Sequence, residues 1–270
     1  IGKIKNVPSL FFLDNEPKTI PGIKLLLKTA TKIIAPIAIK GDLSGYNVRF
    51  FNSYKELAYL SPKYFTPNEK ILEKYISKSK NFFIIRLVSF HAIHDISKTG
   101  ITNQNLDQLI EVLSQHGKVL ISSEKQINEK YDKYLLNIDP ADVHQLLFFC
   151  SIFISDSGTM TSEASLLGTP TIFYSDFVGK LKVIDEKESK YGIVETVKPP
   201  NFNELIKKVG LMLKDKELKD KWRKKRDEML QEKAIEAVKG ALPIPGGLTG
   251  PALPTKSPGK AAGKIGIPSF

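Results

Sequence analysis

The residues best suited to chemistry lie in Ser151–Pro170, SIFISDSGTMTSEASLLGTP. An apolar strand ends there in Asp156-Ser157-Gly158, and a helical stretch follows at once. The first N–H groups of a helix have no intrahelical acceptor, and with the helix dipole they form a site suited to phosphate. Gly158 brings no Cβ to hold an anion off the backbone. Ser157 and Thr159 add hydroxyl donors, and either Asp156 or Ser157 can cap the helix. Glu163 lies four residues beyond Thr159 on the same helix face, badly placed for phosphate but well placed to accept hydrogen bonds from ribose hydroxyls. Gly168 and Pro170 end the helix and lead into the next strand. On spacing alone, an ordinary strand–turn–helix with a surface glutamate is the commoner arrangement.

A second group is Arg86–Asp95, RLVSFHAIHD. Ser89, His91, His94 and Asp95 follow a buried strand, at the carboxyl end where open α/β sheets bind ligands. His91 there can donate to a diphosphate oxygen or serve as general acid or base near neutral pH. A polar loop with one capping aspartate accounts equally well for these residues. Two histidines and an aspartate are too few for zinc without a further ligand, so no metal is expected. Ser122, Ser123 and Glu124 follow the next strand at the same sheet edge; they line a pocket or cap a turn, and position favours the pocket. Asp14 and Glu16 follow the first strand and face a cleft in this reading, as a base or a sugar-hydroxyl acceptor. A solvated turn before Pro17 is the plainer alternative. Lys180 could neutralise phosphate, although isolated lysines mostly sit in solvent. His116 adjoins a helix-ending glycine and reads as structural.

These residues need elements to position them, and the chain alternates strands with helices. Pro8–Leu13 reads as a buried strand, Ile23–Thr29 as a helix, and Lys32–Ala35 and Asn47–Phe51 as strands. Tyr54–Pro67, aromatic and punctuated by proline, reads as a linker or packing loop. From Asn81 onward the rhythm is that of a parallel sheet with crossover helices. Strands are expected at Phe82–Val88, Val119–Ile121, Tyr134–Ile138, Ser151–Ile154 and Thr171–Tyr174. Helices are expected at Asn103–His116, stopped by Gly117 as a left-handed cap, then at Pro140–Phe149, Thr159–Leu167, Asn203–Leu213 and Lys216–Ala237. After Gly240 the composition turns to Pro and Gly without acidic residues, which predicts a disordered tail.

The bulk properties narrow the function classes. No apolar run reaches the roughly 18–20 residues of a membrane span, and no signal-peptide pattern opens the chain. The single cysteine, Cys150, excludes an internal disulfide and lies in the apolar run Leu146–Ile154, so it reads as a buried thiol in a cytoplasmic protein. The formal charge of +11 is compatible with nucleic acid, anionic lipid or a phosphorylated ligand. Its densest piece, Lys214–Arg226, is interrupted by acidic residues at helical spacing and reads as a solvated helix face. No nucleic-acid-binding signature accompanies it, so no nucleic-acid partner is expected, while peripheral contact with a membrane stays open.

The order Asp156, Ser157, Gly158, Glu163, Ala164, Gly168, Pro170 resembles the donor-binding motif D-S-G-x(4)-E-A-x(3)-G-x-P of glycosyltransferase-B enzymes and UDP-N-acetylglucosamine 2-epimerases. FLDNE (Phe12–Glu16), YKELAYL (Tyr54–Leu60), YFTP (Tyr64–Pro67), RLVSFHAIHD, ISSE (Ile121–Glu124) and FVGK (Phe177–Lys180) look like a prokaryotic family, domain of unknown function family 354, itself glycosyltransferase-B-like. The resemblance covers roughly residues 8–235. It implies an α/β fold with a Rossmann-like, doubly wound parallel sheet of glycosyltransferase-B type and an incomplete N-terminal α/β domain. Residues 1–78 are then the remnant of that domain and a linker, 79–237 the nucleotide-sugar-binding domain and 238–270 the tail.

The implied ligand is a UDP-type nucleotide sugar as donor, with no other cofactor and an unspecified acceptor. Ser157, Gly158 and Thr159 would hold the diphosphate and Glu163 the ribose, with His91 stabilising the leaving diphosphate or moving a proton. Ser89, His94, Ser122, Ser123, Glu124 and Asp156 would surround the nucleotide. His144 lies where related transferases approach the base, although a satisfied, partly buried histidine fits as well. The resemblance leaves two alternatives open: UDP-sugar 2-epimerisation assisted by Asp14 or Glu16, and a non-catalytic binding or scaffold module.

Overall fold

A computed structural model of the chain describes residues 7–20, 22–76, 81–89 and 100–240. Two all-parallel sheets organise them. The first has the order β1 (Leu10–Phe12), β2 (Lys32–Pro36), β3 (Val48–Phe51), with helix α1 (Ile23–Thr29) crossing from β1 to β2. The one-turn helix α2 (Leu57–Leu60) follows. The second sheet contains β4 (Phe82–Leu87), β5 (Lys118–Ser123), β6 (Ile152–Ser155), β7 (Thr171–Tyr174) and β8 (Glu195–Val197), in the order β5-β4-β6-β7-β8. Its helices are α3 (Asn103–Ser114), α4 (Val143–Phe149), α5 (Gly158–Leu166), α6 (Lys182–Ser189), α7 (Phe202–Lys214) and α8 (Leu218–Gly240). The expected Rossmann-like, parallel-sheet α/β class is what the chain adopts.

The second sheet explains why its strands read as unbroken apolar runs. Along β4, Phe83, Ile85 and Leu87 join a core with α3 and α7, while Phe82 and Ile84 join another with α4 and α5. Helices on both faces leave no solvated side, so alternation disappears. Each such side chain contributes about 1.5–3 kcal/mol by leaving water. The strand order also creates a switch point. Crossovers leave β4 toward β5 on one side and reach β6 on the other, opening a crevice beyond the carboxyl ends of β4 and β6.

Three expectations are corrected. The first strand is not buried throughout: Phe11 and Leu13 face the core, but Leu10 and Phe12 are 66% and 70% exposed on the other face. Tyr134–Ile138 is not a strand. A 3-10 helix at Glu129–Tyr134 precedes it, and the contact with β5 is a single bridge from Leu135 to Ile121. Gly117 is not left-handed, since it is not among the positive-φ glycines. It is small because a Cβ there would stand 2.5 Å from the Asn81 carbonyl oxygen, in the turn that registers β5 on β4. In addition, α6 and β8 have no counterpart in the sequence reading. Gly168, by contrast, ends α5 with φ of 76°, as expected of the residue after a helix. The predicted tail lies outside the described residues.

Candidate functional site

Helix α5 begins at the switch point. Ser157 is its N-cap, and the Ser157 hydroxyl accepts the Met160 amide at 3.3 Å. The first intrahelical bond runs from the Thr161 amide to the Ser157 carbonyl, so the Gly158 and Thr159 amides precede the ladder. The helix is well anchored behind: Ala164, Ser165 and Leu166 are fully buried, and Thr169 just beyond it donates to the Leu147 carbonyl at 2.6 Å.

In front of α5 lies a cavity of about 500 Å³. Ser157, Gly158 and Thr159 line it, with Val88 and Ser89 after β4 and Glu124 after β5. The three-stranded sheet contributes Asp14 and Asn15 after β1, Pro36 at the end of β2 and Phe51 at the end of β3. The site therefore gathers the carboxyl ends of strands from both sheets.

Asp156 supports this edge. It is buried, and its carboxylate accepts the Val88 amide at 2.8 Å and the Ile101 amide at 3.4 Å. Burial pushes its pKa up to about 6, against the downward pull of the Val88 amide, Lys125 and the Ile101 amide. Val88 and Ile101 lie on either side of residues 90–99, so His91 and His94 fall outside the described residues.

The remaining candidates divide by position. Asp14 lines the cavity and pairs with Lys55, which lines it too. Glu124 lines it and pairs with Arg86 of β4, whose guanidinium also donates to the Ser122 hydroxyl at 2.7 Å. The pocket position favoured for Ser123 gives way to the turn: its hydroxyl donates to the Lys125 carbonyl at 2.7 Å and accepts the Lys125 amide. Glu16 does not face the cleft. It is fully buried, and its carboxylate accepts the Lys182 amide at the start of α6. Burial raises its pKa despite that bond.

Glu163 and His144 meet one another beside the cavity rather than on its wall. Glu163 Oε1 accepts the Tyr59 hydroxyl at 2.8 Å and stands 3.3 Å from His144 Nε2. The Tyr59 and His144 rings lie 5.6 Å apart. Burial would raise the Glu163 pKa, but the hydrogen bonds from His144 and Tyr59 hold it below the usual glutamate value. Lys180 is not on the cavity wall. Cys150 is fully buried, with its thiol pushed up to about 12 by desolvation, as befits a structural thiol.

Sequence reasoning missed Tyr54, Lys55, Glu56, Arg86 and Ser162, of which all but Arg86 line the cavity. A signal existed for Ser162, which follows Gly158 by four residues and shares its face. Glu56 lies in the stretch taken as a packing loop, where no periodicity marks it. Among the described residues, no group of acidic, histidine or cysteine side chains could hold a metal ion, and no helix is long and apolar enough to cross a membrane.

With the start of α5, whose Gly158 and Thr159 amides precede the helical ladder, lining a cavity edged by carboxylates, the arrangement can hold an anion at one end and hydroxyl groups at the other. Solved structures share the fold. A Listeria monocytogenes protein assigned as a UDP-N-acetylglucosamine 2-epimerase aligns over 82% of this chain at 15% identity and TM-score 0.54; the chain spans only 62% of its length. The UDP-GlcNAc 2-epimerase of Methanocaldococcus jannaschii aligns over 84% of this chain and 71% of its own, at 16% identity and TM-score 0.51. MnaA of S. aureus, solved with UDP, aligns over 82% of this chain and 64% of its own, at 14% identity and TM-score 0.54. Comparison with curated proteins finds no match. The family described as Protein of unknown function (DUF354) matches residues 3–239, and the chain belongs to it.

Proposed function

We propose that the cavity binds a UDP-type nucleotide sugar and that the protein transfers the sugar to an acceptor. The observation that carries this reading is the start of α5, whose Gly158 and Thr159 amides open on the cavity at the switch point of the parallel sheet. Diphosphate sits against those amides, and the uridine assignment follows the fold relative solved with UDP. Fixed donors at a diphosphate stabilise the charge that develops on a leaving nucleotide. His91 is the proton donor or additional diphosphate ligand in this scheme.

One observation favours a second reaction at the same site. Asp14, Glu56 and Glu124 all line the cavity, and carboxylates near a sugar carbon suit proton abstraction as well as hydroxyl binding. Epimerisation at C2 of the sugar would use them and needs no acceptor. Incubating the chain with UDP-N-acetylglucosamine alone and analysing the sugar separates the two, because only epimerisation yields the 2-epimer.

The binding step is tested by calorimetric titration of the full chain with UDP and with uridine. UDP is expected to bind saturably, and uridine about tenfold more weakly or worse, because it brings no diphosphate to α5. Equal affinities, or no UDP binding, would refute the assignment.

A further inference from the structure

One turn along α5 from its start, the cavity wall carries a buried polar chain that diphosphate binding does not use. Glu56, just before α2, is only 4% exposed and lines the cavity. Its Oε1 accepts the Ser162 hydroxyl at 3.0 Å. Ser162 Oγ accepts in turn from the ammonium of Lys187 on α6, which also donates to the Ser162 carbonyl at 3.3 Å. Lys187 is fully buried, and its ammonium lies 4.3 Å from the centre of the Tyr54 ring. Among the described residues, no carboxylate pairs with it directly; the serine is the link to Glu56.

Packing alone does not account for this chain. A buried ammonium costs several kcal/mol to desolvate, whereas methionine would fill the same space without that cost. What the lysine and serine achieve is a carboxylate held in one orientation at a cavity wall. The position is informative as well. Ser162 lies about one helical turn, roughly 6 Å, along α5 from Gly158 on the same face, and both line the cavity. A ligand whose anionic end meets the Gly158 and Thr159 amides therefore presents its neighbouring group to Glu56. A second phosphate there would be repelled. Sugar hydroxyls donate to carboxylates, and two adjacent hydroxyls can share one.

We infer that Glu56 binds the hydroxyls of the sugar in a nucleotide sugar, with Ser162 and Lys187 as positioning residues that orient it, so that this wall distinguishes the nucleotide sugar from the bare nucleotide. The inference rests on the nucleotide-sugar reading above. Its test is titration of the full chain and of Glu56→Gln, Ser162→Ala and Lys187→Met, each with UDP and with UDP-N-acetylglucosamine. Glu56→Gln is expected to weaken UDP-N-acetylglucosamine by about tenfold or more while leaving UDP within about twofold. Ser162→Ala and Lys187→Met should lower the same preference by smaller factors. Lys187→Met should lower the preference for UDP-N-acetylglucosamine and leave UDP affinity within about twofold, whereas a purely structural role would shift both affinities together. If UDP binds but Glu56→Gln alters both ligands equally or neither, the Glu56 assignment fails and the nucleotide site stands. If the unaltered chain binds neither ligand, the nucleotide-sugar reading fails and Glu56 falls with it.

Discussion

The five-stranded sheet buries both of its faces, whereas the three-stranded sheet buries one. In the former, Phe153 and Ile154, neighbours on β6, are each fully buried in different cores. In the latter, Ile33 and Ala35 pack against Ile23 and Leu27 of α1, while Leu10, Phe12, Leu25 and Leu26 stay exposed. The two sheets share the cavity but bring different things to it. The well-covered sheet supplies backbone amides at a helix start, fixed by everything packed behind them. The half-covered sheet supplies side chains from the ends of its strands, Asp14 and Asn15 above all. The contrast assigns the part of a ligand that needs exact backbone geometry to the first, and the part recognised by side chains to the second.

Matched substitutions are the strongest way to break that contrast. Phe153→Ala should destabilise the protein by about 3–5 kcal/mol, the usual cost of emptying an aromatic site in a packed core. Phe12→Thr puts a β-branched strand former on an exposed face and should change stability by no more than about 0.5 kcal/mol. Urea unfolding of both variants checks this. A loss of several kcal/mol from Phe12→Thr would show that the exposed face is covered in solution, and the contrast would be lost.

The same difference governs what could be read in the sequence. Strands β4, β6 and β7 are legible because two-sided burial leaves them as apolar runs, and α5 because Ser157 and Gly158 announce a capped helix start. The cavity residues Asp14, Ser89, Glu124 and Ser157–Thr159 were legible for a related reason, each following a strand at the carboxyl edge. Strand β8 was hidden by its brevity, three residues of which two are polar. Helix α6, KVIDEKES, reads as charged surface, and nothing local reveals that Lys187 within it is fully buried. Its burial depends on Tyr54, Glu56 and Ser162, which lie 25 or more residues away in the chain. Composition near Tyr134 favours a strand, but Asn128 caps a 3-10 turn there instead, by accepting the Lys130 amide. Such outcomes are decided by tertiary contacts that spacing does not encode.

A subtler test concerns the carboxylate that supports the well-covered edge. Asp156 titrates at about 6 in the folded protein, above the ordinary aspartate value of 3.8, chiefly because burial disfavours its charge. The folded state therefore holds this proton more tightly than the unfolded state. Its contribution to stability is full below about pH 4 and is lost as pH rises through about 6. Stability should fall by roughly 2–3 kcal/mol across that window from this group alone. Asp156→Asn, which cannot ionise, should flatten the slope in a series of urea titrations between pH 4 and 7. An unchanged slope would mean that the Val88 and Ile101 amides hold the carboxylate ionised and that burial does not dominate.

The two glycines that bound α5 are expected to have more modest stability effects than Asp156, and they sharpen the contrast most directly. Gly168, after the helix, has φ of 76°, and a Cβ there would stand 3.3 Å from the Arg223 Cα. Gly168→Ala should cost about 1–2 kcal/mol through backbone strain and leave UDP affinity unchanged. Gly158, at the helix start, has no left-handed backbone, and its added Cβ would meet only Leu181 Cδ1, at 3.1 Å. Leu181 lines the cavity and is free to move a few tenths of an ångström, so Gly158→Ala should alter stability by less than about 1 kcal/mol. The same methyl enters the space that an anion needs to reach the amides, and UDP affinity should drop by about tenfold or more. Melting curves and titrations on the pair then separate the two ends of one helix, one glycine serving the fold and the other the ligand. Equal UDP affinity in both variants would mean that the start of α5 does not hold the diphosphate.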